Sequence, residues 1–149
     1  RRRLRQTVRH AKLCLMDKIE HLGIAVEDLE SAMKTYTALF GAPAYKVEEV
    51  ASEGVRTAFF RSGPNKIELL EGIGTQNPIS RFIAKKGEGI HHVAFAVEDI
   101  RSAMDRLASE GFTLLNEEPK PGADNKLVAF VHPKDAHGVL IELCQERAD

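Results

Sequence analysis

Two histidines and two glutamates stand at matching places along the chain, and the chemistry such a set supports is that of a divalent-metal site. His21 and His92 are 71 residues apart, and Glu68 and Glu142 are 74 apart. Their surroundings repeat as well. KIEHLGIAVEDLESAMK (18–34) aligns with GIHHVAFAVEDIRSAMD (89–105), with nine of seventeen positions identical, and KIELL (66–70) aligns with LIELC (140–144). Self-similarity at a constant offset marks an internal duplication. Carboxylates buried in a sheet are costly unless paired or coordinated, and two of them converging with two imidazoles are costlier still without a cation. A divalent ion removes the conflict. Imidazole and carboxylate suit Mn²⁺, Co²⁺, Ni²⁺, Fe²⁺ or Zn²⁺, and an octahedral ion with four protein ligands keeps two positions open, as catalysis requires. Taken singly, each histidine reads more readily as a hydrogen-bonded strand residue and each glutamate as a solvated one. Preserved packing, however, needs only the apolar positions of a repeat, and it gives no reason for an ionisable group at all four places.

The elements that must position these groups follow from periodicity. Alternation over 19–26 and 90–97 predicts two strands. In the first, Leu22, Ile24 and Val26 form an apolar face, while His21 shares the other face with Gly23 and Ala25; His92, Ala94 and Ala96 repeat that pattern. By the same period His91 points away from His92 and is expected to be structural. Asp28 and Asp99 are N-cap residues for amphipathic helices that end at Gly41 and Gly111. Three short strands follow each helix, at about 45–50, 55–61 and 66–70 and then at about 113–117, 126–132 and 139–145. Asn77-Pro78 opens a short connecting helix that Gly87 closes. The fold class is therefore α+β: two tandem β-α-β-β-β modules, at about 17–72 and 89–146 with a linker at 73–88, form one curved mixed sheet that cups the metal. A half of about sixty residues is marginal alone, so the modules should pack together as a single domain over 16–149. His132 and His137 flank a Pro133-Lys134-Asp135 turn and read as loop or substrate-contact residues; Lys85-Lys86 reads as a solvated helix end.

The formal net charge of -1 hides an asymmetry. Residues 1–15 carry six basic side chains and no acid, leaving 15 basic against 22 acidic groups in the remainder. So acidic a body argues against a nucleic-acid partner. No apolar run approaches the roughly 18 residues that span a bilayer, so no membrane partner is expected. Cys14 and Cys144 give neither a disulfide framework nor metal-type spacing, which points to a reducing, cytoplasmic compartment. The basic leader at 1–15 has two readings, a targeting segment, which would direct the chain to the mitochondrial matrix, or residues upstream of a true start at Met16; the second is preferred.

These residues resemble the vicinal oxygen chelate (glyoxalase) superfamily and, more closely, its methylmalonyl-CoA epimerase family, from about Met16 to Glu146. The resemblance is carried by IEHLGIAVEDLESA, KIELLE, NPISRFIAKKGEGIHHVAFAVEDI and VAFVHPKDAHGVLIEL, of which GEGIHH and HPKD..GVLIEL are the more specific. It implies one divalent ion per chain on His21, Glu68, His92 and Glu142, an acyl-CoA substrate and a homodimer. The implied reaction inverts C2 of methylmalonyl-CoA by proton transfer through a metal-stabilised enolate, with Glu142 both ligand and base. One departure matters: some members place the second base, a glutamate, where this chain has Thr57 in GVRTAFF. Glu48, Glu49 and Glu53 lie nearby, each reading first as surface charge, and a water at the ion is an equal candidate. The runner-up is a glyoxalase I-like lyase acting on a glutathione hemithioacetal, which uses the same ligand set. A third class, a non-catalytic binding protein of the same fold, typically lacks these ligands.

Overall fold

The duplicated segments build duplicated halves of one sheet. The computed structural model describes residues 14–148, so the basic leader lies almost wholly outside the described residues. In chain order the elements are β1 (Lys18–Ala25), α1 (Leu29–Phe40), β2 (Lys46–Val50), β3 (Val55–Ser62), β4 (Asn65–Gly72), α2 (Pro78–Lys86), β5 (Gly89–Ala96), α3 (Ile100–Ser109), β6 (Lys120–Gly122), β7 (Lys126–Val131) and β8 (Ile141–Glu146). The strand order β2-β3-β4-β1-β5-β8-β7-β6 places the modules side by side, joined where β1 pairs antiparallel with β5. Each module's first strand also runs parallel to its last, β1 with β4 and β5 with β8. No helix among the described residues is long and apolar enough to cross a membrane.

Local signals start α1 and α3 as expected, and Gly41 ends α1 in the left-handed conformation, whereas α3 is capped by Glu110, one residue before Gly111. Asp28 accepts a hydrogen bond from the Ser31 amide and Asp99 one from the Ser102 amide, each satisfying an otherwise unpaired donor of the first turn. Helices α1 and α3 cover the outer face of the curved sheet, over two cores that are copies of each other. Val26, Leu29, Ala58, Phe60 and Leu69 form one. Val97, Ile100, Ala129, Val131 and Leu143 occupy the corresponding places in the other. Helix α2 lies on the inner face, where Ile79 packs on Ala25, Val55 and Leu70 and closes one end of the cup.

The strand expected at about 113–117 forms only in part. Leu114 makes a single bridge to Val131, and the ladder beside β7 is instead supplied by Lys120–Gly122. Asn116 diverts the chain: its side-chain oxygen accepts from the Phe130 amide, taking the place of a backbone carbonyl. The two edges of the sheet are then tied together by side chains. From the β6–β7 turn, Asp124 meets Lys66 at 3.0 Å and Tyr45 at 2.9 Å, while its amide donates to Glu48. Lys120 pairs with Glu53 at 2.8 Å. Asp124 and Asn125, at φ 57° and 55°, make the tight left-handed reversal that lets this turn reach the first module.

Candidate metal centre

Two bulges in the β1–β5 ladder set the inner face. His21 stands opposite Ala94 and Ile19 opposite Phe95, so Glu20 is an extra residue on β1; Gly23 stands opposite His92 and Ile24 opposite Ile90, so His91 is the extra residue on β5. A bulge breaks the alternation and turns two successive side chains to one side. Glu20 and His91, at the same offset of 71, therefore join His21 and His92 inside the cup. This corrects the expectation that His91 faces away: it lines the same cavity as His92, with its Nδ1 2.9 Å from that of His92. Gly23 makes room for the His92 ring, since a Cβ there would lie 2.1 Å from His92 Cε1. Phe59 and Phe130 stand edge-on to His21 and His92, the same buttress in each module.

All four expected residues converge. His21 Nε2 lies 3.1 Å from His92 Nε2, 3.3 Å from Glu68 Oε1 and 3.1 Å from Glu142 Oε2, and His92 Nε2 is 3.5 Å from Glu68 Oε1. All four residues are buried. Metal–ligand bonds of about 2.1 Å put neighbouring donors about 3.0 Å apart on an octahedron and about 3.4 Å apart on a tetrahedron, so this spacing suits one ion. His21, Glu68 and His92 make one cluster that could hold it, and His21 with Glu142 and Cys144 makes another. The cysteine spacing gave Cys144 no metal role, yet it lies two residues from Glu142 on the same face; its thiol donates to Glu142 Oε2 at 3.0 Å.

The electrostatics show how strongly the site asks for positive charge. Burial alone would raise Glu68, but hydrogen bonds from His21 and His92 outweigh it and hold its carboxyl down at about 2. Burial likewise opposes ionisation of Glu142, yet His21 brings it below the usual carboxylate range. For His21 burial disfavours the charged ring, while Glu142, Glu20 and Glu68 together raise it well above its ordinary value. Glu20, 3.5 Å from His21 Nδ1 and paired with Lys66 at 3.1 Å, is held at about 2 against its own burial. His91 is lowered to about 4 by burial and by its neighbour His92, so it is a neutral imidazole near pH 7.

Beside this cluster opens a cavity of about 320 Å³, within the range of small-molecule sites. Glu68, His92 and Glu142 reach it, and Val55, Leu70, Ile79 and Val128 make much of the rest apolar. Its other polar groups include Thr57, Asn116 and the Glu53–Lys120 pair. Glu53 thus departs from its surface-charge reading. Glu48 accepts from Lys46 and from the Asp124 amide outside this cavity, and Glu49 is exposed. His132 caps its own turn by accepting from the Lys134 amide.

Comparison with known proteins gives a consistent neighbourhood. Residues 20–130 match the model of the Glyoxalase/Bleomycin resistance protein/Dioxygenase superfamily. An ethylmalonyl-CoA/methylmalonyl-CoA epimerase of Cereibacter sphaeroides is 41% identical over 133 residues, covering 88% of this chain and 99% of that protein. The crystal structure of methylmalonyl-CoA epimerase from Mycobacterium tuberculosis superposes with a TM-score of 0.88 at 32% identity, over 94% of this chain and 95% of that one. A methylmalonyl-CoA epimerase solved with methylmalonyl-CoA and NH4+ superposes with a TM-score of 0.85 at 32% identity, over 89% and 96% of the two chains.

Proposed function

The chain belongs to the methylmalonyl-CoA epimerase family of the Glyoxalase/Bleomycin resistance protein/Dioxygenase superfamily, and from that premise we propose that it inverts C2 of methylmalonyl-CoA, taking a proton from one face of that carbon and returning one to the other. The observation that carries this reading is the convergence of two imidazoles and two carboxylates, at ion-ligand spacing, on a ligand-sized cavity. The donor set fits a divalent ion held by His21, Glu68, His92 and Glu142. When bound, such an ion supplies Lewis-acid stabilisation to the oxygens that flank C2 and so acidifies its hydrogen.

The protein's own groups account for the remaining steps. For both Nε2 atoms to offer lone pairs, each imidazole must carry its hydrogen on Nδ1. His92 Nδ1 then donates to His91, the outer partner that fixes the orientation of that ring, and His21 Nδ1 faces Glu20 at 3.5 Å. Glu142, ionised and buried, accepts the proton from C2 and can return it. Inversion needs a second carrier. Glu53 takes that role in our reading, because it is the one of the three nearby glutamates that lines the cavity, and Lys120 holds it from the other module. The apolar walls exclude water that would compete for the carbanion. The lyase shares the donor set, but GEGIHH and HPKD..GVLIEL favour the epimerase. A homodimer, also expected from the resemblance, is checked by size-exclusion with light scattering.

Deuterium exchange tests the reading. In heavy water, methylmalonyl-CoA of one configuration should gain deuterium at C2 as the two configurations equilibrate. With Glu53→Gln, inversion should fall well below the parent rate while one epimer still exchanges its C2 hydrogen. Turnover of the methylglyoxal–glutathione adduct with no exchange into methylmalonyl-CoA would transfer the assignment to the lyase.

A further inference from the structure

Thr57 is fully buried and lines the cavity, yet its Oγ1 has no hydrogen-bond partner among the described residues. Burying a hydroxyl without a partner is unfavourable, so a native structure that keeps one needs a reason. The duplication removes packing as that reason. Thr57 stands opposite Leu70, two residues before Phe59, which stands opposite Glu68. Val128 stands opposite Cys144, two residues before Phe130, which stands opposite Glu142. Val128 is therefore the counterpart of Thr57, at the same offset of 71. Valine has the shape of threonine with a methyl group in place of the hydroxyl. One module fills this place on the cavity wall without any polar atom, so the strand itself has no need of one.

We propose that Thr57 is a substrate-binding residue whose hydroxyl donates a hydrogen bond to a carboxylate oxygen of the malonyl-type acyl group. The proposal rests on the epimerase reading and deepens it. Threonine cannot serve as the base that a glutamate here would be, but it can donate, and a donor aimed at an anionic oxygen makes the stronger, charge-assisted kind of bond. Its place on the inner face of β3, close to Glu68 in the ladder, puts the hydroxyl beside the cluster on which the reacting end of the substrate converges. A donor so placed selects acyl thioesters that carry a carboxylate on C2 over those that do not.

The test is Thr57→Val, the substitution the second module already contains, with Thr57→Ser as the conservative control. A lost bond to a charged group should lower kcat/KM for methylmalonyl-CoA by roughly 10- to 100-fold in the valine variant, and serine should recover most of it. Without ligand, the valine variant should melt no lower than the parent, since an unpaired hydroxyl has been removed. Calorimetric affinity for propionyl-CoA, the same thioester without the carboxylate, should be equal in parent and valine variant. A valine variant within twofold of the parent in kcat/KM overturns the proposal, and so does equal weakening toward both thioesters. Failure of the epimerase reading is seen separately, in a parent protein that does not turn over methylmalonyl-CoA.

Discussion

Gly23→Ala should disable the proposed metal centre while leaving the fold in place. Gly23 faces His92 across the ladder, and a methyl group there would sit 2.1 Å from Cε1, 2.4 Å from Nδ1 and 2.5 Å from Nε2 of that ring. Ordinary contact begins at 3.4 Å, so the ring must retreat by about 1.3 Å. Metal-ligand distances tolerate only about 0.2 Å, so His92 Nε2 leaves the set. Altering groups behind a ligand typically costs 10- to 100-fold in metal affinity, and displacing the ligand itself should cost at least as much. At an ion concentration of about 100 times the parent dissociation constant, binding stabilises the parent by about 2.7 kcal/mol. A variant 100-fold weaker would gain only about 0.4 kcal/mol. For a domain of this size those gains correspond to roughly 10 °C and one or two degrees in Tm. Thermal melts with and without chelator, alongside elemental analysis of the purified proteins, read both quantities. With chelator present the two proteins should melt within a few degrees of each other, because the clash falls on a side chain rather than on backbone. A Gly23→Ala protein that holds one ion per chain and loses as much Tm to chelator as the parent would refute the placement of His92 in the site.

Two further outcomes follow from the same geometry. Glu142→Gln should slow C2 exchange by roughly 10²- to 10⁴-fold even where some metal is retained, because an amide ligates weakly and accepts no proton; kinetics normalised to metal content check it. In the ion-free protein His21 titrates above its ordinary range, its burial outweighed by Glu142, Glu20 and Glu68. Ion and proton then compete for its Nε2, so metal affinity should rise with pH until the raised His21 pKa is passed, and binding near neutrality should release a proton. Calorimetry in two buffers of different ionisation heat measures that release, and its absence would refute a protonated His21 in the ion-free site.

Much of this protein is legible in its chain because its signals are local or repeated. Period-two alternation places His21 and His92 on strand faces, Asp28 and Asp99 open the helices, and recurrence at a nearly constant offset singles out His21, Glu68, His92 and Glu142 among the many ionisable groups. The structure brings those four together as expected. What the chain alone does not reveal depends on how distant segments register. A period-two reading assumes an unbroken ladder, whereas the bulges at Glu20 and His91 arise only when β1 meets β5, 71 residues away, and they bring two further polar side chains inside. The diversion of the chain at Asn116 likewise depends on an amide of β7. Glu53 and Glu48 look alike in sequence. Closure of the sheet edges assigns one to the cavity with Lys120 and the other to Asp124. Thr57 shows the same division: its type is read from the chain, but only packing from every side decides that its hydroxyl is buried without a partner among the described residues, because burial is a property of the whole fold and not of any one segment.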